Sequence, residues 1–335
     1  MLHVKYFFRK RLPGFHSIEE LFETVLSALN GVEYEICRAP RRTITPWNLL
    51  INIFWARRNR SRVNHITGDS NYLAMGTGPN TVLTIHDIGS LLKGNALSVW
   101  LKKQLFLVQP AKRVHTITVI SQASADEVKA AIPQYAGKIR VVHNPYRKAL
   151  LNFAKNTTDH APVQYPTRIM LVGTKENKNL QRILPALQDL NVHLNILGRL
   201  DGQLKYLLEQ LNLPYENRFQ LSYEDVMKWY ITSDVLCFAS TYEGFGMPII
   251  EAQALGIPVV TSNLGAMKEV AGDSACLVNP YEESDIRYGV TKVMSREDYR
   301  KQLIRAGREN IKRFDPQLIA AQYQNIYEEI AGNRF

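Results

Sequence analysis

Short runs of β-branched and aliphatic residues alternate, along almost the whole chain, with longer stretches in which apolar positions recur at helical spacing. That alternation predicts βα units and parallel sheets, since a sandwich would lack the helical stretches and a bundle would lack the strand runs. In the first half it predicts strands at Val4–Phe8, Tyr34–Arg38, Val63–Thr67, Thr81–His86, Thr116–Ser121 and Ile139–His143. Helices are predicted at Ser17–Leu29, where Ser17 and Glu20 have capping-box spacing, and at Ala123–Ala131. From about Lys148 to Pro166 the periodicity lapses into a polar stretch with two prolines, which predicts a linker. A second series follows: strands at Arg168–Val172, His193–Leu197, Phe219–Leu221, Val235–Ala239 and Val259–Thr261, with helices at Leu180–Leu190, Gly202–Leu211, Glu224–Thr232 and Pro248–Leu255. Two Rossmann-like halves joined by a linker are the simplest arrangement of this pattern. The last stretch, Pro316–Ile330, sets Leu318, Ile319, Tyr323, Ile326, Tyr327 and Ile330 at amphipathic helical spacing.

Composition narrows the class. With 335 residues, 45% hydrophobic and 21% charged, the chain is long enough for two cores and too apolar for disorder. Cys37, Cys237 and Cys276 form no C-x-x-C pattern, so neither a disulfide framework nor a zinc site is expected, and a reducing cytoplasm fits. No apolar run approaches the length of a membrane span, and the start lacks a basic-then-apolar leader. Charge is uneven: residues 1–166 carry 22 Lys and Arg against 10 Asp and Glu, and residues 167–335 carry 19 against 21. The basic half implies an anionic partner, which charge alone leaves open among nucleic acid, acidic lipid and a phosphorylated substrate.

One helix of the basic half stands apart. Pro46–Arg62 combines Trp47, Leu50, Ile51, Phe54 and Trp55 with Arg57, Arg58, Arg60 and Arg62. It fits a membrane-surface element, and equally a core-facing helix with solvated arginines; the two tryptophans beside the arginines tilt it toward anionic lipid.

Ligands of open α/β sheets bind beyond the carboxyl ends of the strands, so the residues after each predicted strand are the candidates for chemistry. The richest stretch is S-T-Y-E-G-F-G-M-P-I-I-E-A-Q-A-L-G at 240–256, a strand running through a glycine-flexible loop into a helix opened by Pro248. Backbone amides at such a helix start favour an anion, and Glu243 and Glu251 can both serve one ligand. Glu251 could instead only complement the helix dipole. Gly173-Thr174-Lys175-Glu176-Asn177-Lys178-Asn179 follows another strand and offers two cations, without the G-K-[ST] of a P-loop. Leu197-Gly198-Arg199 ends a third. In the first half His86-Asp87 and His65-Ile66-Thr67-Gly68-Asp69 end neighbouring strands. G-x-G-x-x-G, Asp-x-Asp, G-x-S-x-G and H-E-x-x-H are all absent, which excludes a dinucleotide oxidoreductase and leaves no paired carboxylates for Mg²⁺.

Residues 234–280, with the E-x₇-E stretch from Glu243 to Glu251, resemble the group 1 (GT4) retaining glycosyltransferases. The likeness extends to S-I-E at the first helix, T-I-H-D at 84–87, T-V-I-S at 118–121, V-V-H-N-P at 141–145, Lys178-Asn179 and the Tyr323…Tyr327 helix. It implies a GT-B fold: two facing Rossmann-like domains, residues 1–160 for the acceptor and 161–314 for the nucleotide sugar, with a C-terminal helix at 315–332 returning to the first. It implies that Glu251 holds the ribose hydroxyls, Glu243 and His86 face the transferred sugar, and Lys178 binds the pyrophosphate. The loops at Gly14, at Gly173 and Thr174, and at Gly244, Phe245, Gly246 and Met247 would complete the donor site. Thr174 stands where the family usually has an arginine, and Arg199 is the candidate replacement. The implied reaction is metal-independent, retaining transfer of a hexose-type sugar from a UDP- or GDP-linked donor, with no further cofactor. The acceptor would be a glycan or a lipid-linked one in bacterial surface polysaccharide synthesis, at the inner face of the cell membrane, with Trp47, Trp55, Arg57, Arg58, His65 and Asp69 toward acceptor or membrane. A GT-B epimerase or phosphorylase would share the fold, and a basic nucleic-acid-binding protein would leave Glu243 and Glu251 unused.

Overall fold

The structure, a computed structural model, describes residues 2–10, 17–42, 45–89, 91, 93–154 and 165–332. They divide into two compact units, one running to Pro145 and resuming at Asp315, the other spanning Tyr146–Phe314.

The first unit is built on six parallel strands, β1 (Leu2–Phe8), β2 (Val32–Arg38), β3 (Val63–Ile66), β4 (Thr81–Ile85), β5 (Thr116–Val119) and β6 (Ile139–Val141), in the order β2-β1-β3-β4-β5-β6. Strands β3, β4 and β5 are buried throughout; β4 and β5 accordingly show continuous apolar and threonine runs instead of alternation, while β3 buries Asn64 and His65 between Val63 and Ile66. On one face Phe7, Leu83, Ile85, Ile117 and Val119 pack under the Pro46–Asn59 helix and a helical run from Ala96 to Arg113. On the other, Val4, Tyr6, Phe8, Val63 and Val82 meet the Ser17–Leu26 helix and the C-terminal helix Pro316–Gly332. That last helix therefore returns to the first unit, burying Ile319, Tyr323, Ile326, Tyr327 and Ile330.

A buried polar chain pins it. The Tyr6 hydroxyl donates to Tyr327 Oη at 2.8 Å, which lies 2.6 Å from His65 Nδ1, and His65 Nε2 lies 2.7 Å from Thr84 Oγ1. His65, expected toward the acceptor, is thus a core histidine: strand alternation turns it under the C-terminal helix, both ring nitrogens are engaged, and burial pushes the imidazole down to about 3.

The second unit repeats the plan with β7 (Thr167–Val172), β8 (Val192–Leu197), β9 (Tyr215–Arg218), β10 (Val235–Phe238), β11 (Val259–Ser262) and β12 (Cys276–Val278), in the order β12-β11-β10-β7-β8-β9. Its core gathers Ile169, Leu171, Leu194, Ile196, Val235, Cys237 and Val260 beneath the Leu180–Leu187 and Glu283–Ser295 helices. Two strands depart from the sequence reading. The strand expected at Phe219–Leu221 lies at Tyr215–Arg218, an edge position whose partly solvated residues need no apolar run; the three-residue β12 gives too short a pattern to register. The change of unit falls at Pro145, ahead of the 160/161 boundary expected from the polar stretch. Tyr146 N donates to Phe314 O, and the Leu150–Ala154 helix seats a fully buried Leu150 in the second unit.

Candidate active site

In the second sheet the strand order reverses between β7 and β10, so the loops leaving these two strands diverge and open a crevice at their carboxyl ends. Gly173, just after β7, has φ +89, and an added Cβ would stand 2.7 Å from Lys178 Cε. Only glycine provides both that backbone and that room for the lysine to lie across it. The turn Glu176–Lys178 then presents its side chains to the loop after β10: Thr241 N donates to Asn177 O at 2.9 Å, and Asn177 Nδ2 donates to Tyr242 O at 2.9 Å and to Glu243 Oε1 at 3.2 Å. Lys178 Nζ meets Glu243 Oε1 at 2.6 Å and lies 4.7 Å from the centre of the Phe238 ring. Both side chains of the pair are mostly shielded from water, so the charges are held by each other and by Asn177.

Asn179 braces this arrangement. Buried and left-handed (φ 62), it donates through Nδ2 to Ala239 O at 3.0 Å and Pro280 O at 2.6 Å, and accepts from Arg182. It ties the ends of β7, β10 and β12 together, a positioning role that its place beside Lys178 in sequence did not disclose.

The neighbouring strand end supplies a second cation. Gly173 N donates to Leu197 O, and Thr174 Oγ1 donates to Arg199 O at 2.7 Å. Gly198, at φ +140, lets Thr174 approach to where a Cβ would be 2.9 Å from its Cγ2. The exposed Arg199 guanidinium lies 5.4 Å from the Phe219 ring centre. Thr174 and Arg199 are therefore in direct contact, the first holding the backbone that carries the second.

The Met247–Ala254 helix begins at Gly246 (φ +124) with Pro248 in its first turn and no side-chain cap. Glu251, one turn in, is half-buried; burial pushes its carboxyl up to about 7, against the pull of Arg147 and of the Tyr230 hydroxyl, 3.4 Å from Oε2. Phe245, expected to line the donor site, instead packs edge-on to Phe314 at 5.6 Å and is 4% exposed, so its side chain anchors the loop.

In the first unit His86 follows β4 and is half-buried. Its Nε2 donates to Thr67 O at 2.8 Å, which leaves Nδ1 as the lone-pair nitrogen, and burial lowers the affinity of the ring for a second proton. Gly68 passes directly beneath it, where a Cβ would meet His86 Cδ2 at 2.5 Å. Asp69 (φ 54) pairs with Arg9 at 2.5 Å, and Arg9 reaches Glu19 at 3.2 Å, across the reversal between β1 and β3. Trp47, Arg57 and Arg58 are exposed, whereas Trp55 faces inward, 5.6 Å edge-on to Phe7. Gly14 lies outside the described residues. Among the described residues no group of three His, Cys, Asp or Glu side chains is placed to hold a metal ion, and no helix is long and apolar enough to cross a membrane.

Residues 160–310 match the family model for glycosyl transferases group 1. The second unit belongs to the group 1 glycosyltransferases. The chain is 30% identical over 105 residues to O-antigen chain mannosyltransferase B of Escherichia coli, covering 31% of this chain and 28% of that one. It is 32% identical over 150 residues to the MMP alpha-(1->4)-mannosyltransferase of Mycolicibacterium hassiacum, covering 42% and 36%. The matched stretches thus span about a third of those relatives' length. The fold is shared over the whole chain: sucrose-phosphate synthase from Thermosynechococcus elongatus superposes with a TM-score of 0.78 at 16% identity, covering 100% of both chains. This glycosyltransferase domain places Lys178 and Glu243 at its sheet's switch point, where a ligand of such a domain is expected.

Proposed function

We propose that the protein transfers a hexose-type sugar from a UDP- or GDP-linked donor to a glycan or lipid-linked acceptor, with retention of anomeric configuration and without a metal ion. The observation that carries this reading is the Lys178–Glu243 pair at the reversal of the second sheet, inside a group 1 glycosyltransferase domain. The mannosyltransferase relatives make mannose the first sugar to test and bacterial surface polysaccharide the first acceptor class. A cytoplasmic site of action, on the inner face of the cell membrane, belongs to the same proposal, and nucleic acid has no part in it.

In this mechanism the bond from the anomeric carbon to the diphosphate oxygen breaks, positive charge develops on the sugar ring, and negative charge builds on the departing diphosphate. Lys178 turns from Glu243 toward that diphosphate, and Arg199 adds a second cation from the adjacent loop. Each charge-assisted hydrogen bond contributes about 1.5–3 kcal/mol, enough together to lower the barrier substantially. Glu243, released by Lys178, accepts from a hydroxyl of the sugar. Glu251 accepts from the ribose hydroxyls. The acceptor hydroxyl attacks the anomeric carbon from the face the diphosphate leaves, and its proton passes to the departing phosphate oxygen.

Thermal stabilisation by UDP, GDP and ADP in EDTA, alone and as their sugars, tests the donor. A ligand at a hundredfold its Kd adds about 2.7 kcal/mol, readily visible as a shift in melting temperature. Stabilisation by one nucleotide, followed by transfer of its sugar, is the expected result. Absence of any nucleotide effect, or isomerisation of the sugar nucleotide without transfer, would overturn the proposal.

A further inference from the structure

The chain enters the second unit at Tyr146, and the next residue, Arg147, acts on Glu251. The backbone around it is fixed on both sides. Tyr146 is buried, and its N–H donates to Phe314 O at 3.1 Å. Three residues beyond Arg147, the short Leu150–Ala154 helix is anchored by the buried Leu150 and packs against both the Tyr223–Ile231 helix and the Met247–Ala254 helix that carries Glu251.

The side chain is held as well. The guanidinium carbon of Arg147 stands 4.0 Å from the centre of the Tyr223 ring, so the cation lies against an aromatic face. Tyr223 opens its helix behind Ser222, whose hydroxyl accepts from Asp225 N at 3.1 Å. Tyr230, two turns further along the same helix, is fully buried and donates to Glu251 Oε2 at 3.4 Å. One capped helix thus supplies both the platform for the arginine and a donor to the carboxyl.

The two partners do unequal work. Among the described residues Arg147 and Tyr230 are the groups that favour the charged form of Glu251, and burial opposes them. At 3.4 Å the Tyr230 contact is long for an O–H···O bond, so the arginine carries most of the compensation. A guanidinium suits the task, since it stays charged at every working pH and its plane can lie flat on a ring while its edge faces a carboxylate. Arg147 follows none of the strands whose ends form the crevice, and it comes to Glu251 through the packing of three helices.

We propose that Arg147 is a positioning residue for the donor: laid on Tyr223, it supplies the positive charge against which Glu251 serves as an acceptor for the ligand's hydroxyls. The role rests on the proposed binding of a nucleotide sugar at Glu251, and it names the group that makes that carboxyl usable near neutral pH. The experiment follows urea unfolding, and the melting shift caused by UDP and by GDP in EDTA, from pH 5 to pH 9. It compares the full chain with Arg147→Gln, Arg147→Lys and Tyr223→Leu, each with Glu251 in place and with Glu251→Gln. In Arg147→Gln the pH at which nucleotide affinity reaches half its maximum should rise by about one unit or more. Stability should also go on falling to higher pH than in the wild type, because the folded state then holds the Glu251 proton more tightly. Arg147→Lys, which keeps the charge, should restore most of the wild-type profile, and Tyr223→Leu, which removes only the platform, should move it the same way by less. With Glu251→Gln in place, replacing Arg147 should change neither the remaining affinity nor the pH dependence of unfolding. An arginine that merely supports the fold would weaken binding equally in both backgrounds and leave the pH profile where it was, and that result overturns the proposal. Nucleotide binding by the wild type with an unmoved profile in both Arg147→Gln and Tyr223→Leu refutes the positioning role alone. No melting shift in the wild type at any pH refutes the donor reading and the role with it, even where unfolding still couples Arg147 to Glu251.

Discussion

Replacing Glu251 by Gln changes one proton and almost no volume, at a carboxyl whose burial raises it from 4.5 to about 7. A folded-state value above the unfolded one means that the native protein binds the proton more tightly than the unfolded chain does. The resulting stabilisation is complete below 4.5, and it is lost as pH rises toward 7 because the folded state must then carry a half-buried carboxylate. At about 1.4 kcal/mol per pH unit, that interval sets a ceiling of about 3 kcal/mol. Arg147, which attracts the carboxylate, lies on the other side of the balance and loses that attraction in the variant. Glu251→Gln is therefore expected to be more stable than the wild type at pH 8 by about 1–3 kcal/mol, with the difference closing toward pH 4.5. Urea unfolding across that range measures it. A difference independent of pH, or a variant less stable at pH 8, would refute the assignment of burial as the dominant force on this group. The same carboxylate, if it accepts from ribose hydroxyls, must be ionised to do so fully. Nucleotide affinity should rise through pH 7 in the wild type and be low and flat in the variant.

Lys178→Ala should lower turnover more than roughly tenfold, since it removes a cation from a developing diphosphate, while costing only about 1–2 kcal/mol of stability for the partly shielded Glu243 left behind. Wild-type turnover would remove Lys178 from the site. Gly173→Ala forces a side chain into a positive-φ position and against Lys178 Cε, and is expected to cost about 1–2 kcal/mol together with much of the activity; full activity would show that Lys178 need not lie across the loop. Tyr327→Phe breaks the Tyr6–Tyr327–His65 chain and should lower stability by about 1–3 kcal/mol through the buried groups it strands. Unfolding at wild-type denaturant concentration would count against that chain as the fastening of the C-terminal helix.

Alternation of apolar runs with helical spacing was enough to lay out two parallel α/β units, because strands buried on both faces must be apolar throughout and helices between them need one apolar stripe. The E-x₇-E stretch and the glycines after strands were equally plain, since turn geometry is written locally in residues that tolerate it. Edge strand β9, solvated and polar, carried no such signal. What sequence could not tell apart was the fate of similar residues. His65 and His86 both lie near strand ends, yet one is sealed under the C-terminal helix and the other is half-buried above Gly68. Trp47 and Trp55 share a helix, and one is exposed while the other turns toward the Phe7 ring and is partly buried. Phe245 sits between the glycines of the loop after β10 and packs on Phe314 in the core. Lys178 and Glu243 are 65 positions apart and meet because the strand order reverses between β7 and β10. Local chemistry determines the element and the backbone each residue can adopt. Which neighbour that residue faces is set by contacts between distant segments, and only the folded chain contains them.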